Sequence, residues 1–343
     1  MRTTNPRFSV FSGRVITAVV MLCLSDAVYS AAPGETLRRF RLSRAPNTTV
    51  WLTPDEVRFR ELAAEMSGRL RTVQLMQKQI NTRIQNNTQQ WRTIQPLLEA
   101  VRMQADKFSA DDPRRMELEQ QIQRLSAEAV EPRELGAEPQ VRLALIELGQ
   151  RNHQVIIAIH WMQEAVARIT TRYEELQGET LVNEALAKLG PNHRLGPLQS
   201  DFDEKLQRAR EVEKQVLESW VPLYVSSGQQ RVSGIVNQRV PGTFTWKSSG
   251  SDVWLSRSLA RLAGLELNSH AATSNLRIAG RDLVAIRATL PYLQFGDCTL
   301  RDLTVNVLPP EAEDLGSFIG PDAFPNHDVV AAPEKLRLLL KAP

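Results

Sequence analysis

The chain has 343 residues, of which 24% are charged, 42% hydrophobic and 6% aromatic, and its formal net charge is +3. That length accommodates two ordinary domains. The charges are interspersed rather than gathered into a basic stripe, which excludes a nucleic-acid footprint.

Arg2, Arg7 and Arg14 stand against Asp26 in the first thirty residues, so much of the positive surplus sits there. After Arg14 comes the apolar run Val15 to Leu24, then small residues at Ser30, Ala31 and Ala32. A basic leader, an apolar core and small residues are the layout of a secretory signal. We therefore expect a signal peptide over 1–30, with an uncleaved anchor as the alternative. The apolar core is shorter than the roughly 20 residues that a membrane helix needs. No integral span is expected once the leader is removed, and the expected location is secreted or periplasmic, in the cell envelope. Cys23 follows the bulky Leu22 and is a poor lipid-attachment site. Cys298 is the only other cysteine, which rules out an internal disulfide in the mature chain. It reads as buried packing. Residues 31–52 read as a linker.

From 53 to 217 the chain is rich in helix formers. Thr53-Pro54-Asp55-Glu56 supplies a capping hydroxyl, a first-turn proline and acids at the positive end of the dipole. Met66, Val73, Ile80, Asn87, Ile94 and Val101 recur every seven residues, interleaved with Leu70, Gln77, Ile84, Trp91 and Leu98. A second seam holds Val141, Leu148, Val155, Met162, Ile169 and Leu176, with Leu145, Asn152, Ile159, Val166 and Tyr173. A shorter amphipathic stretch with Leu118, Ile122 and Leu125 lies between them. Such heptads predict a long helical hairpin or coiled coil, used as spacer, oligomerisation module or partner-binding surface. Asn87 and Asn152 are about equally far from the intervening turn, so a buried Asn87–Asn152 pair is expected to fix the register. A last helix is expected over Leu198 to Val216. His153 and His160 share a helix face, but no third ligand is in register with them, so they read as structural.

Composition shifts near Trp220-Val221-Pro222, and 221–343 reads as a small all-β region. Its apolar runs are Val232–Val236, Phe244–Trp246, Val253–Leu255, Leu276–Ile278, Leu283–Ala288, Leu303–Leu308 and Leu336–Leu340, separated by turn signals. With one brief helix at Ser258–Leu262, this suggests a small closed β-structure. The fold class is thus α+β in two parts.

Within that region, Phe244-Thr245-Trp246-Lys247-Ser248-Ser249-Gly250-Ser251-Asp252-Val253-Trp254-Leu255 resembles an active-site strand of the retropepsin-like aspartic proteases. Val232 to Asn237 is similar to the family's first strand, Ser258 to Leu265 to its short helix, and Leu276 to Gly280 to its flap. Phe318-Ile319-Gly320-Pro321-Asp322 resembles its hydrophobic-hydrophobic-glycine signature. The order and spacing of the series carry the likeness, over roughly 222 to 341. The departure lies in the chemistry: Ser248 stands where the family has its aspartate, with Ser249 and Gly250 completing a degenerate motif. A serine hydroxyl cannot take the place of a carboxylate that shares a proton with its mate and activates water.

The resemblance implies a pseudoprotease with no catalytic residue of its own. Lys247, Ser251, Asp252, Ile278, Ile319 and Gly320 would line a cleft for a peptide or protein ligand. A homodimer or oligomer is implied, and no cofactor or metal. The alternatives are an active endopeptidase using another acid or an intact partner, and a structural envelope protein. Asp252 lies beyond the turn glycine, on the other arm. Lys247 and Ser248 point to opposite faces of a strand, which disfavours a serine–lysine dyad. Asp322 reads as a helix cap and His327 as a surface residue.

Overall fold

A computed structural model describes residues 32–198, 202–217, 221–250, 252–267, 272–278, 280–325 and 327–341. The expected leader with Cys23, the candidate Ser251 and the side chain of Ile278 lie outside what is described. The protein is α+β, with long helices and a large β-sheet. Its packing separates into two compact units. One holds the described residues up to Arg60 together with Glu164–Phe202, the other Glu61–Gln163 together with the chain from Asp203 onward.

In the first unit, residues read as linker are folded. Helix α1 (Pro33–Arg39), strand β1 (Ser43–Arg44) and strand β2 (Val50–Leu52) occupy them, and Leu37, Leu42, Val50 and Leu52 are buried. These elements are too short for periodicity to reveal; burial of a few apolar side chains holds them. β2 pairs antiparallel with β1 and parallel with β3 (Arg194–Leu195). Helix α2 (Pro54–Ala105) begins where the sequence signal lies, with Thr53 Oγ1 accepting from the Glu56 amide at 3.3 Å. Glu56 is fully buried yet well partnered: Tyr173 donates its hydroxyl at 2.5 Å, Arg60 pairs at 2.9 Å and the Leu198 amide donates at 3.3 Å.

In the second unit, α2 packs on helix α3 (Pro113–Glu128) and then on α4 (Pro139–Gly178). Ile94 and Leu98 cluster with Ile122, Leu125 and Ala129, whereas Val73 and Ile80 cluster with Val141, Leu145 and Leu148. Between these clusters Arg83 pairs with Glu138 at 2.6 Å. The expected Asn87–Asn152 pair is therefore a misreading of the register. α3 packs along α2 instead of belonging to the turn, so Asn87 sits level with Val130. It donates to the Val130 carbonyl at 2.8 Å and accepts from its amide at 3.1 Å. Asn152 lies elsewhere, beside Ser233 and Gln294.

Helix α5 (Thr180–Leu189) belongs to the first unit, and α6 (Phe202–Leu217) leads into the sheet region. There the strands are β4 (Val221–Ser226), β5 (Gln229–Val236), β6 (Val240–Trp246), β7 (Val253–Leu255), β8 (Thr273–Ile278), β9 (Arg281–Phe295), β10 (Cys298–Val307), β11 (Ser317–Ile319), β12 (Asp328–Ala332) and β13 (Arg337–Lys341), with helix α7 (Arg257–Leu262) after β7. They hydrogen-bond in the order β12-β13-β4-β5-β6-β11-β7-β10-β9-β8, and β5 also pairs with β9. That extra pairing, Ile235 opposite Gln294 and Val236 opposite Leu293, folds the sheet back on itself. Gly234 permits it, because any Cβ there would strike the Phe295 ring at 2.7 Å. The enclosed core includes Val232, Phe244, Leu255, Leu290, Phe295 and Ile319. α4 also meets the sheet, Gly149 lying against Ser233 and the His160 ring edge-on to Tyr292 with centroids 5.9 Å apart. Hence the composition shift near 220 marks a change of element type, while α6 and the Glu61–Gln163 helices pack in the same unit as the sheet.

Candidate functional site

β6 and β11 run parallel, with Phe244 opposite Ser317 and Trp246 opposite Ile319, and β11 touches β7 antiparallel at Phe318–Trp254. The chain leaving β6 thus emerges directly beside the chain leaving β11. Their first residues beyond the ladder stay joined, the Lys247 amide donating to the Ile319 carbonyl at 2.8 Å. Lys247, Ser248, Ser249 and Gly250 then form an exposed turn. Gly250 has φ +111°, a backbone conformation that favours glycine.

Two features lock this turn to the β11 end. A side chain at Gly320 would fall inside contact distance of the Gly250 carbonyl oxygen, with the Ser249 carbonyl oxygen 3.0 Å away, so only glycine lets the two chains approach. Two residues on, Asp322 accepts the Gly250 amide at 3.0 Å. This corrects the reading of Asp322 as a helix cap. The short 3-10 turn Pro321–Ala323 starts at Gly320 with no side-chain cap, and the carboxylate reaches across to the turn.

Of the candidate residues, the structure brings Lys247, Ser249, Gly250, Ile319 and Gly320 together, with Ser248 on the same turn. Ile319 is fully buried and serves as an anchor. Lys247 lays its ammonium 4.5 Å from the Phe318 ring centre, a cation–π contact. Asp252 is exposed just before β7. Ile278 ends β8, opposite Arg281. That β8–β9 ribbon is tied down by Leu283, which clusters with Phe318, Leu308 and Ala312, and by Arg281 to Asp314 at 3.2 Å.

A second set of polar residues ties the start of α7 to the Glu313–Ser317 segment. Glu313 accepts from the Arg257 amide at 2.8 Å, from the Ser258 amide at 3.1 Å and from the Ser258 hydroxyl. Ser317 Oγ accepts from the Ser256 amide at 2.9 Å. Burial acts to raise the Glu313 pKa, but the bonds from Ser258, Arg257 and Ser256 outweigh it and hold the carboxyl below its usual range. Glu313 therefore anchors the start of α7 from a distant segment. Sequence reasoning missed both Glu313 and the role of Asp322, because each partner lies 55 to 72 residues away.

Cys298 is buried and its thiol is pushed up to about 11, by burial first and by Asp297 second. Its sulfur lies 3.5 Å from His327 Nδ1, so His327 is half-buried against the core, not on the surface as read. A thiol held protonated is packing, not a nucleophile. No group of three or more metal-ligating side chains converges among the described residues. No helix among them is long and apolar enough to cross a membrane.

No protein-family model matches the chain, and no curated protein matches it. Among solved structures it is similar to a retropepsin-like aspartic protease from Rickettsia conorii, with 18% identity and a TM-score of 0.30. The match covers 36% of this chain and 89% of that one.

Proposed function

We propose that residues 221–341 are a retropepsin-like fold from which the catalytic acid has been lost, and that the turn at Lys247–Gly250 now serves to bind an extended peptide or protein segment. The observation carrying this reading is the turn itself. Gly320, Asp322 and the Lys247 amide hold it to the β11 end, yet its central side chains are Ser248 and Ser249. The scaffold of an acid site is kept while its acid is absent. Hydroxyls at those positions donate and accept hydrogen bonds, which suits them to a peptide backbone but not to activating water. In this reading the protein is exported, and its paired helices carry and oligomerise the β-region.

The test compares the wild type with Ser248→Asp for cleavage of unstructured peptides at acidic pH. Silence in the wild type and cleavage in the variant, blocked by a transition-state-mimic inhibitor of aspartic proteases, is the expected result. Silence in both, together with no peptide binding by the wild type, would overturn the reading.

A second reading, an endopeptidase using a non-standard acid, has one observation in its favour: the Asp322 carboxylate lies against the turn. It requires cleavage by the wild type that disappears in Asp322→Asn.

A further inference from the structure

Away from the turn, the polar contact between α4 and the sheet has no part in the function proposed above. His153 sits in it with only 8% of its surface exposed. The imidazole donates a hydrogen bond to the Ser233 backbone of β5. Beside it, a cavity of about 20 Å³ is lined by Asn152, Gln294, Ile156, Val216 and Ile235. That is room for about one water, too little to hydrate a cation. The helix is close against the strand here, since a Cβ added at Gly149 would lie 3.5 Å from the Ser233 Cβ.

The charged and titratable groups of the joint gather one step further along, around His160. Its Nε2 lies 3.5 Å from the Tyr292 hydroxyl on β9, which in turn donates to Gln294 Oε1 at 2.7 Å. Glu213 on α6 is attracted to His160 and Arg210, and Arg301 on β10 acts on Tyr292. No carboxylate contributes at His153, where only burial and the Ser233 bond act.

We propose that this joint is an acid-sensitive clasp, strongest while the His153 imidazole is uncharged and weakened when the ring takes up a proton, which releases α4 from the sheet before the rest of the unit unfolds. Charging the ring would add a donor and a positive charge in a space with no counter-ion and room for about one water. Burial pushes His153 down from 6.5 to about 4. A lowered histidine pKa means that the open form takes up a proton the closed form refuses. The His153 contribution to closure is therefore fully present above 6.5 and declines as pH falls through the window toward 4. Opening becomes at most about tenfold easier per pH unit, on the order of 100-fold between pH 6.5 and 4, and approaches roughly 300-fold only below that window.

The proposal is tested by amide hydrogen exchange, corrected for intrinsic rates, over Gly149–His160. Protection of this segment should fall between pH 6.5 and 4 while β5, held between β4 and β6, and the remaining core keep their own. The fall should vanish in His153→Gln. It should also vanish in Gly149→Cys/Ser233→Cys, whose Cβ separation suits a disulfide across the joint. An equal fall in either variant, loss of protection by the whole chain at once, or a native His153 titrating near 6.5 by NMR would overturn it. Failure of the cysteine pair to oxidise at neutral pH would do the same, by removing the close approach on which the clasp depends.

Discussion

Gly320→Ala puts one methyl group where the turn meets the end of β11. The added carbon would fall inside contact distance of the Gly250 carbonyl oxygen and 3.0 Å from that of Ser249. Both neighbours are backbone, so neither can swing aside as a side-chain tip would. Overpacking against fixed atoms costs about 1–3 kcal/mol. Relief requires the turn to back away, which stretches the bond from the Gly250 amide to Asp322. A hydrogen bond to a charged group contributes about 1.5–3 kcal/mol, and exposure of both partners brings this toward the lower end. A loss of about 2–4 kcal/mol in urea unfolding is expected, with the m-value unchanged. In the Ser248→Asp background the same change should abolish any cleavage gained. The control is Gly68→Ala in the exposed middle of α2, where nothing lies within 4 Å of the added carbon. There helix propensity alone operates, and the protein should gain up to about 1 kcal/mol. If Gly320→Ala is as stable as the wild type, the turn is not held against β11, and the argument for a preserved acid-site scaffold fails.

Two further expectations concern the polar contacts that position these elements. Tyr173→Phe removes a donor from the fully buried Glu56 and the acceptor of the Thr53 amide. Calorimetry should show a loss of about 1–3 kcal/mol, the cost of leaving buried polar groups unpaired; no change in melting would mean that Glu56 is satisfied without it. Glu313→Ala takes away the distant anchor of α7, and chemical denaturation should register about 1 kcal/mol, as for a lost helix cap. Because the folded-state Glu313 pKa is lowered, its contribution is present above the unfolded carboxylate value and fades as pH falls through the folded one. The difference between wild type and Glu313→Ala should shrink with acidification; a constant gap would contradict the hydrogen-bonded carboxylate.

Several strands were legible because their signals are local. Val253–Leu255 is a three-residue apolar run and forms β7 as read, while the runs at Val232–Val236 and Phe244–Trp246 lie inside β5 and β6. β12, with Val330 exposed and Asp328 at its start, offers no such alternation, and only its ladder with β13 makes it a strand. In the turn, the glycines and serines could be read directly. Asp322 could not, because its partner depends on bringing the ends of β6 and β11 side by side. The register error has the same origin: Asn87 and Asn152 are symmetric in sequence distance, but α3 packs along α2 and takes the place that symmetry assigned to α4.

Residue chemistry and spacing alone thus determined that this chain is α+β, that its helices carry heptad seams, and that two serines and a glycine follow the strand ending at Trp246. These are properties of neighbours along the chain, set by periodicity and side-chain type. Tertiary packing decided which asparagine meets which backbone, that Asp322 grips the turn, that Glu313 anchors α7, and that His153 is sealed between α4 and the sheet. Each of those depends on groups far apart in sequence arriving within about 3 Å of one another, which hydrogen bonding requires and no local pattern encodes.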